Sequence, residues 1–153
     1  MIRVLFICHG NICRSAMAEY MFKDMVKKLG VEDEFYIESA ATSSEEIGNP
    51  VYPPARRELN AHGIKCDGHR ARRIIRDDYD RFDYLIAMEQ YNLRNMKNTF
   101  PIDDPYGKIY RILDFTDEPG DIADPWYTGE FELTYRQLDK GLKAFYEHVT
   151  AGA

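Results

Sequence analysis

The run Ile2-Arg-Val-Leu-Phe-Ile7 constrains this chain most, because it is short, mostly apolar and rich in β-branched residues, and a glycine-containing turn follows it at once. Such a run reads as a buried strand. Two more runs of the same kind, Phe35–Ala41 and Asp83–Met88, and a fourth at Lys108–Leu113, recur along the sequence. Helical patterns lie between them. Met17, Tyr20, Met21, Met25 and Val26 repeat at helical spacing from Ser15 to about Leu29, where Gly30 supplies a stop. Further helices are expected from about Ala55 to His62, ending at Gly63, and from roughly Glu89 to Asn98. A last one carries Leu138, Leu142, Phe145 and Val149 as a single apolar stripe. Residues 42–54 and 114–129, rich in Pro, Gly, Asp and Ser, read as long loops. Strands alternating with helices imply a parallel sheet covered on both faces. With no repeat and no linker, the whole chain, 1–153, reads as one α/β domain.

Sheets of this kind place their sites beyond the carboxyl ends of the strands. Cys8, the Thr42 loop, Met88-Glu89 and the Asp114 loop all fall there, so one shared crevice is expected.

Bulk properties narrow the function classes. The 153 residues carry 20 Lys and Arg against 26 Asp and Glu, a net charge of -6, which argues against general nucleic-acid binding. No apolar run nears the ~20 residues that span a bilayer, and Cys8-His-Gly-Asn stands where a leader's cleavage site would fall. A cytoplasmic protein without membrane attachment is expected. Three cysteines, Cys8, Cys13 and Cys66, are too few and too odd in number for a disulfide framework. Arg70, Arg72, Arg73 and Arg76, with Arg56-Arg57 upstream, form a local basic run. It reads as a solvated face, with a docking surface for an acidic or phosphorylated partner as the alternative.

The chemistry is concentrated in Cys8-His-Gly-Asn-Ile-Cys-Arg14-Ser15. The segment joins a strand to a helix N-terminus, where free N–H groups and the helix dipole favour an anion. Gly10 and Asn11 tolerate the positive φ of a tight cradle. Arg14 can hold two oxyanions bidentately. Cys8, at the mouth of the same cradle, feels all of these donors, so its thiolate is favoured and it becomes a candidate nucleophile for phosphorus. No Gly-x4-Gly-Lys-[Ser/Thr] segment occurs, which excludes a nucleotide P-loop. Phosphoryl transfer to sulfur also needs an acid for the leaving oxygen. Asp124, in Asp124-Pro-Trp-Tyr127, is the candidate, with Trp126 and Tyr127 able to pack on an aromatic leaving group and exclude water.

The Cys8–Ser15 loop near the start and Asp124-Pro-Trp-Tyr127 near the end resemble the low-molecular-weight protein tyrosine phosphatases. So do Ser39-Ala-Ala-Thr-Ser43, Gly48-Asn49-Pro50, Gly63-Ile64, His69-x-Ala-Arg72, Phe82-Asp83-Tyr84 and Met88 with Asn92-Leu93, all in order along nearly the whole chain. The resemblance implies a three-layer α/β domain with a central four-stranded parallel sheet. It implies hydrolysis of phosphotyrosine and small aryl phosphates through a phosphocysteine on Cys8, with Asp124 as acid and then base. Arg14 and the N–H groups of residues 9–15 (His9, Gly10, Asn11, Ile12, Cys13, Arg14 and Ser15) would hold the phosphate. Ser15 would hydrogen-bond the sulfur, and Asn11, Ser39 and His69 would hold the loop in shape. No cofactor or metal is needed. Cys13 would close a reversible disulfide with Cys8 on oxidation, whereas Cys66 reads as structural. The implied partner is a phosphotyrosine-containing protein. A monomer is expected, and the aromatic residues around the crevice are of a kind that supports weak self-association.

Three positions depart from the family pattern. Ala16 replaces a proline, Glu89 replaces an aspartate after Met88, and Ser44-Glu45-Glu46 stands where relatives carry an aromatic wall. The substrate pocket is therefore expected between Ile12, an acidic Glu45 side, and Trp126 with Tyr127. Three other readings compete with this one. A protein-arginine phosphatase would carry threonine in place of Ile12, whose apolar side chain suits an aryl ring. An arsenate reductase would need two cysteines downstream, and only Cys66 is present. A catalytically silent phosphotyrosine-binding protein would have lost Cys8, Arg14 or Asp124, and all three are retained.

Overall fold

Every other residue of the first strand is apolar toward a different layer, and this decides the architecture. In a computed structural model describing residues 1–151, β1 (Ile2–Cys8) and β2 (Phe35–Ala41) pair in parallel, from Ile2 opposite Phe35 to Cys8 opposite Ala41. β3 (Tyr84–Ala87) pairs with the other edge of β1, and β4 (Ile109–Arg111) with β3, giving an all-parallel sheet of order β2-β1-β3-β4. Val4, Phe6 and Cys8 pack into one core with α1 (Arg14–Lys28), α2 (Pro53–Ala61) and α6 (Phe131–Thr150). Leu5 and Ile7 enter a second core with Tyr79 of α3 (Asp78–Arg81), Phe82, and Met96 of α4 (Gln90–Met96). A strand apolar on both faces is thereby buried on both, the condition for a parallel sheet.

The stripe expected on the last helix is met: Leu138, Leu142 and Phe145 are fully buried, with Val149 partly buried against them. Gly141 lies within that stripe for a local reason. A Cβ there would stand 2.7 Å from Cγ1 of Ile112, which belongs to the 3₁₀ turn Ile112–Phe115.

The structure corrects several boundaries. α2 starts at Pro53, inside the expected loop, because Pro53 and Pro54 occupy first-turn positions where a missing N–H costs nothing. β4 stops at Arg111 rather than Leu113. There the Asp114 carboxylate accepts from the Arg111 side chain at 3.1 Å and faces its backbone N–H at 3.4 Å, turning the chain into the 3₁₀ segment. The expected 114–129 loop also contains a short helix, α5 (Pro125–Thr128), ended by Gly129 at φ 75°. Among the described residues, no helix is long and apolar enough to cross a membrane.

Because β1 pairs with β2 on one side and β3 on the other, chain direction across the sheet reverses at the end of β1. A crevice opens at such a point, and Cys8 is the last residue of that strand.

The Gly141–Ile112 approach gives a stability test. Helix propensity alone predicts that Gly141→Ala stabilises α6 by about 1 kcal/mol, whereas the contact predicts a net loss of about 1–2 kcal/mol from overpacking. A lower denaturant midpoint is the expected result, and a raised midpoint would refute the packing.

Candidate active site

Residues 9–13 connect β1 to α1 as a loop, and Asn11 holds its curvature with φ 61°. Asparagine visits this region more readily than most side chains, and here its fully buried side chain is engaged as well. Its Nδ2 donates to Oγ of Ser15 and to Oγ of Ser39, each at 2.9 Å. Its Oδ1 accepts from the Arg72 backbone N–H at 3.2 Å. Its carbonyl accepts from His69 Nε2 at 2.8 Å, which fixes the proton on that nitrogen. Ser39 then donates to Glu19 at 2.5 Å.

This network faces the Cys8 sulfur. Ser15 Oγ lies 3.0 Å from Sγ, and since Oγ already accepts from Asn11, its own proton is free to point at the sulfur. The backbone N–H groups of Asn11 and Ser15 also reach Sγ, at 3.3 and 3.4 Å. Three hydrogen-bond donors thus converge on this one sulfur. Among the described residues, the N–H groups of Gly10, Ile12 and Cys13 have no acceptor within the protein. They are donors left over for an anion.

Arg14 is only 2 % exposed. Nη1 donates to the Glu89 carboxylate and, at 2.9 Å, to the Ile122 carbonyl, while Nη2 lies 3.4 Å from Asp124 Oδ2. Burial would lower the guanidinium pKa, but the negative Cys8, Asp124 and Glu89 raise it above its ordinary value, so the cation persists. Its buried Nε has no acceptor in the protein, leaving one strong donor unspent. Cys13 behaves oppositely: burial, then the Cys8 charge, push its thiol well up.

Asp124 occupies the N-cap of α5, where Oδ1 accepts from the Trp126 N–H at 3.0 Å and Oδ2 faces Arg14. The expected pairing of this aspartate with the cysteine loop is thus met in space: Cys8, Arg14 and Asp124 line one pocket. Ile12, Glu45, Glu46, Trp126 and Tyr127 form its walls, as the sequence suggested. Ile12 is buried, and Trp126 packs on Tyr52 with ring centroids 4.5 Å apart. The His9 side chain turns away from the cradle. Its Nε2 reaches outward to Glu45 at 2.8 Å, tying the acidic lip to the pocket rim. Cys66 is buried in the α1 core, apart from the site.

Sequence reading missed Glu19, Tyr52 and the Arg72 backbone. Glu19 could have been found: a carboxylate on the inward face of α1, four residues after Ser15 and beside Met17, Met21 and Phe22, needs a buried partner. Nothing local marks the other two.

Comparison with known proteins agrees with this geometry. A model of the family described as low molecular weight phosphotyrosine protein phosphatase matches residues 3–152. The low molecular weight protein-tyrosine-phosphatase YfkJ of Bacillus subtilis is 40% identical over 143 residues, covering 92% of this chain and 91% of the relative. Its crystal structure superposes with a TM-score of 0.95 at 36% identity, covering 99% and 96% of the two chains. The low molecular weight phosphotyrosine protein phosphatase of Gallus gallus is 41% identical over 149 residues, covering 94% and 93%. The drosophila arginine phosphatase DARP shares the fold at a TM-score of 0.87 and 31% identity, covering 97% and 98%. The chain belongs to the low molecular weight phosphotyrosine protein phosphatase family.

Proposed function

We propose that this protein hydrolyses phosphotyrosine in protein substrates, and small aryl phosphates, with Cys8 as nucleophile. The observation that carries the reading is the Cys8 sulfur, met by three hydrogen-bond donors in a pocket that also holds Arg14 and Asp124.

The dianionic phosphate enters the cradle of Gly10, Ile12 and Cys13 N–H groups and takes up the free Arg14 donor. The Cys8 thiolate attacks phosphorus opposite the phenolic oxygen. As that P–O bond breaks, Asp124 gives its proton to the departing oxygen. A phosphocysteine results. Asp124, now a carboxylate, takes a proton from water as the water attacks phosphorus, and the thiolate leaves, assisted by the Ser15 hydroxyl. Arg14 holds the equatorial oxygens throughout, and its carboxylate partners keep it aimed. No step calls on a cofactor.

The aryl ring fits between Ile12 and Trp126. An apolar wall at residue 12 does little for a guanidinium, and for this reason phosphoarginine is not the favoured substrate. The substrate partner is a phosphotyrosine-containing protein. All three cysteines are free thiols, which suits the cytoplasm, and a monomer suffices because one chain supplies every group named.

Cys13 acts as a redox guard in this scheme. Hydrogen peroxide oxidises the Cys8 thiolate: an S–O bond forms as the O–O bond breaks, giving the sulfenic acid and hydroxide, which takes a proton from solvent to become water. The Cys13 thiol then condenses with the sulfenic acid, releasing a second water and closing the disulfide. The upward push on Cys13 keeps it protonated, so that oxidation begins at Cys8.

Cys8→Ser should abolish turnover of p-nitrophenyl phosphate. Asp124→Ala should lower kcat on a phosphotyrosine peptide about a hundredfold or more, and markedly less on p-nitrophenyl phosphate, whose leaving group needs little protonation. Equal losses on both substrates would contradict Asp124 as the acid. After peroxide treatment, dithiothreitol should restore activity to the wild type but not to Cys13→Ser. Identical recovery in the two proteins would contradict the guard.

A further inference from the structure

The acidic surplus of this chain is interrupted beside the reaction pocket. A second groove is lined by Ile12, Glu46, Tyr52, Arg56, Arg57 and Trp126. Ile12, Glu46 and Trp126 also wall the reaction pocket, so the two depressions adjoin, and on the groove side Trp126 packs on Tyr52. A tyrosyl phosphate seated over Cys8 leaves its peptide backbone at the pocket mouth. An extended peptide advances about 3.3 Å per residue, so residues within a few positions of the phosphotyrosine lie along this groove.

What they meet there is cationic. Arg56 and Arg57 are exposed on α2. Among the described residues Arg57 has no acidic partner, and Arg56 has only the exposed Asp67 at 3.3 Å. The adjacent acid, Glu58, is turned to His62 at 3.0 Å. One acid, Glu46, also lines the groove, where the Asn49 side chain donates to it at 2.6 Å, so the two arginines there exceed it by one charge. The far lip carries Glu45, held by His9 at 2.8 Å. Charge across the pocket mouth is therefore asymmetric, with an excess of exposed cations along only one exit.

We propose that this groove is a second recognition site, taking the carboxylate of an Asp or Glu that flanks the phosphotyrosine on one side. The proposal rests on the phosphotyrosine reading and adds a direction to it. The acidic pocket lip by itself disfavours acidic substrates, whereas the groove accepts them along one exit only. Arg56 and Arg57 touch neither the phosphate cradle nor the leaving oxygen, so they act on substrate binding and not on the chemical steps.

The test uses three phosphotyrosine peptides that share a neutral core. One has neutral flanks, one has two Glu before the phosphotyrosine, and one has two Glu after it. Each is assayed with the wild type and with Arg56→Glu/Arg57→Glu, and p-nitrophenyl phosphate serves as the unflanked control. In the wild type, Glu on one side should lower KM about three- to fivefold with kcat unchanged, the size expected of exposed ion pairs. Raising the salt should shrink the gain. The double variant should lose it while turning over p-nitrophenyl phosphate as the wild type does. Equal KM for all three peptides, or a gain that survives the double substitution, would overturn the proposal. A wild type inert toward p-nitrophenyl phosphate and all peptides would instead overturn the phosphatase reading, and this site with it.

Discussion

A bare guanidinium could not remain where Arg14 lies, since burying one charge without compensation costs several kcal/mol. Its environment is built to meet that cost. Glu89 arrives from the end of β3, Ile122 and Asp124 from the segment before α5, and the Cys8 sulfur from the end of β1. Glu89 and Asp124 lie 75 and 110 residues from Arg14 in sequence, and the parallel sheet brings them to it at the carboxyl ends of its strands. In the proposed mechanism, the cation that demands negative neighbours in the free protein also receives the phosphate. Glu89, longer than the aspartate common in this family, reaches the guanidinium directly.

The loop around the sulfur depends on a second device. A tight turn with N–H groups facing inward has no hydrogen bonds of its own to hold it open. Asn11, within the loop, ties it to Ser15, Ser39, Arg72 and His69 beyond it, and Glu19 anchors the far end. A filled set of buried polar contacts of this sort is rigid, because any partial loss leaves unsatisfied groups in the core. Rigidity is what an anion cradle needs, since donors already in position need no reorganisation when charge develops.

Much of this was legible in the sequence where the signal is local. β1 announces itself by an apolar run, α1 and α6 by helical periodicity, and the cysteine loop by spacing between a strand and a helix. The pairing of Asp124 with Cys8 came from chemical need and from resemblance, and the geometry agrees. What escaped was short or distant. α5 has only four residues, too few for a period, and is set by the Asp124 cap. The premature end of β4 depends on Asp114, and the Arg72 contact to Asn11 spans 61 residues. Arg72 itself, read with its neighbours as part of a solvated basic face, is spent on buried Asp78 and on Glu38. Tyr52 looked like one more loop residue until it proved to support Trp126.

The central claim is that the Cys8 sulfur bonds to phosphorus, and trapping that bond tests it most directly. Acid-quenching the protein within its first turnover of p-nitrophenyl phosphate, followed by peptide mass mapping, should find one phosphoryl group, on Cys8, and none on Cys8→Ser. A phosphoryl group on another side chain, or none at any time during active turnover, would contradict the account.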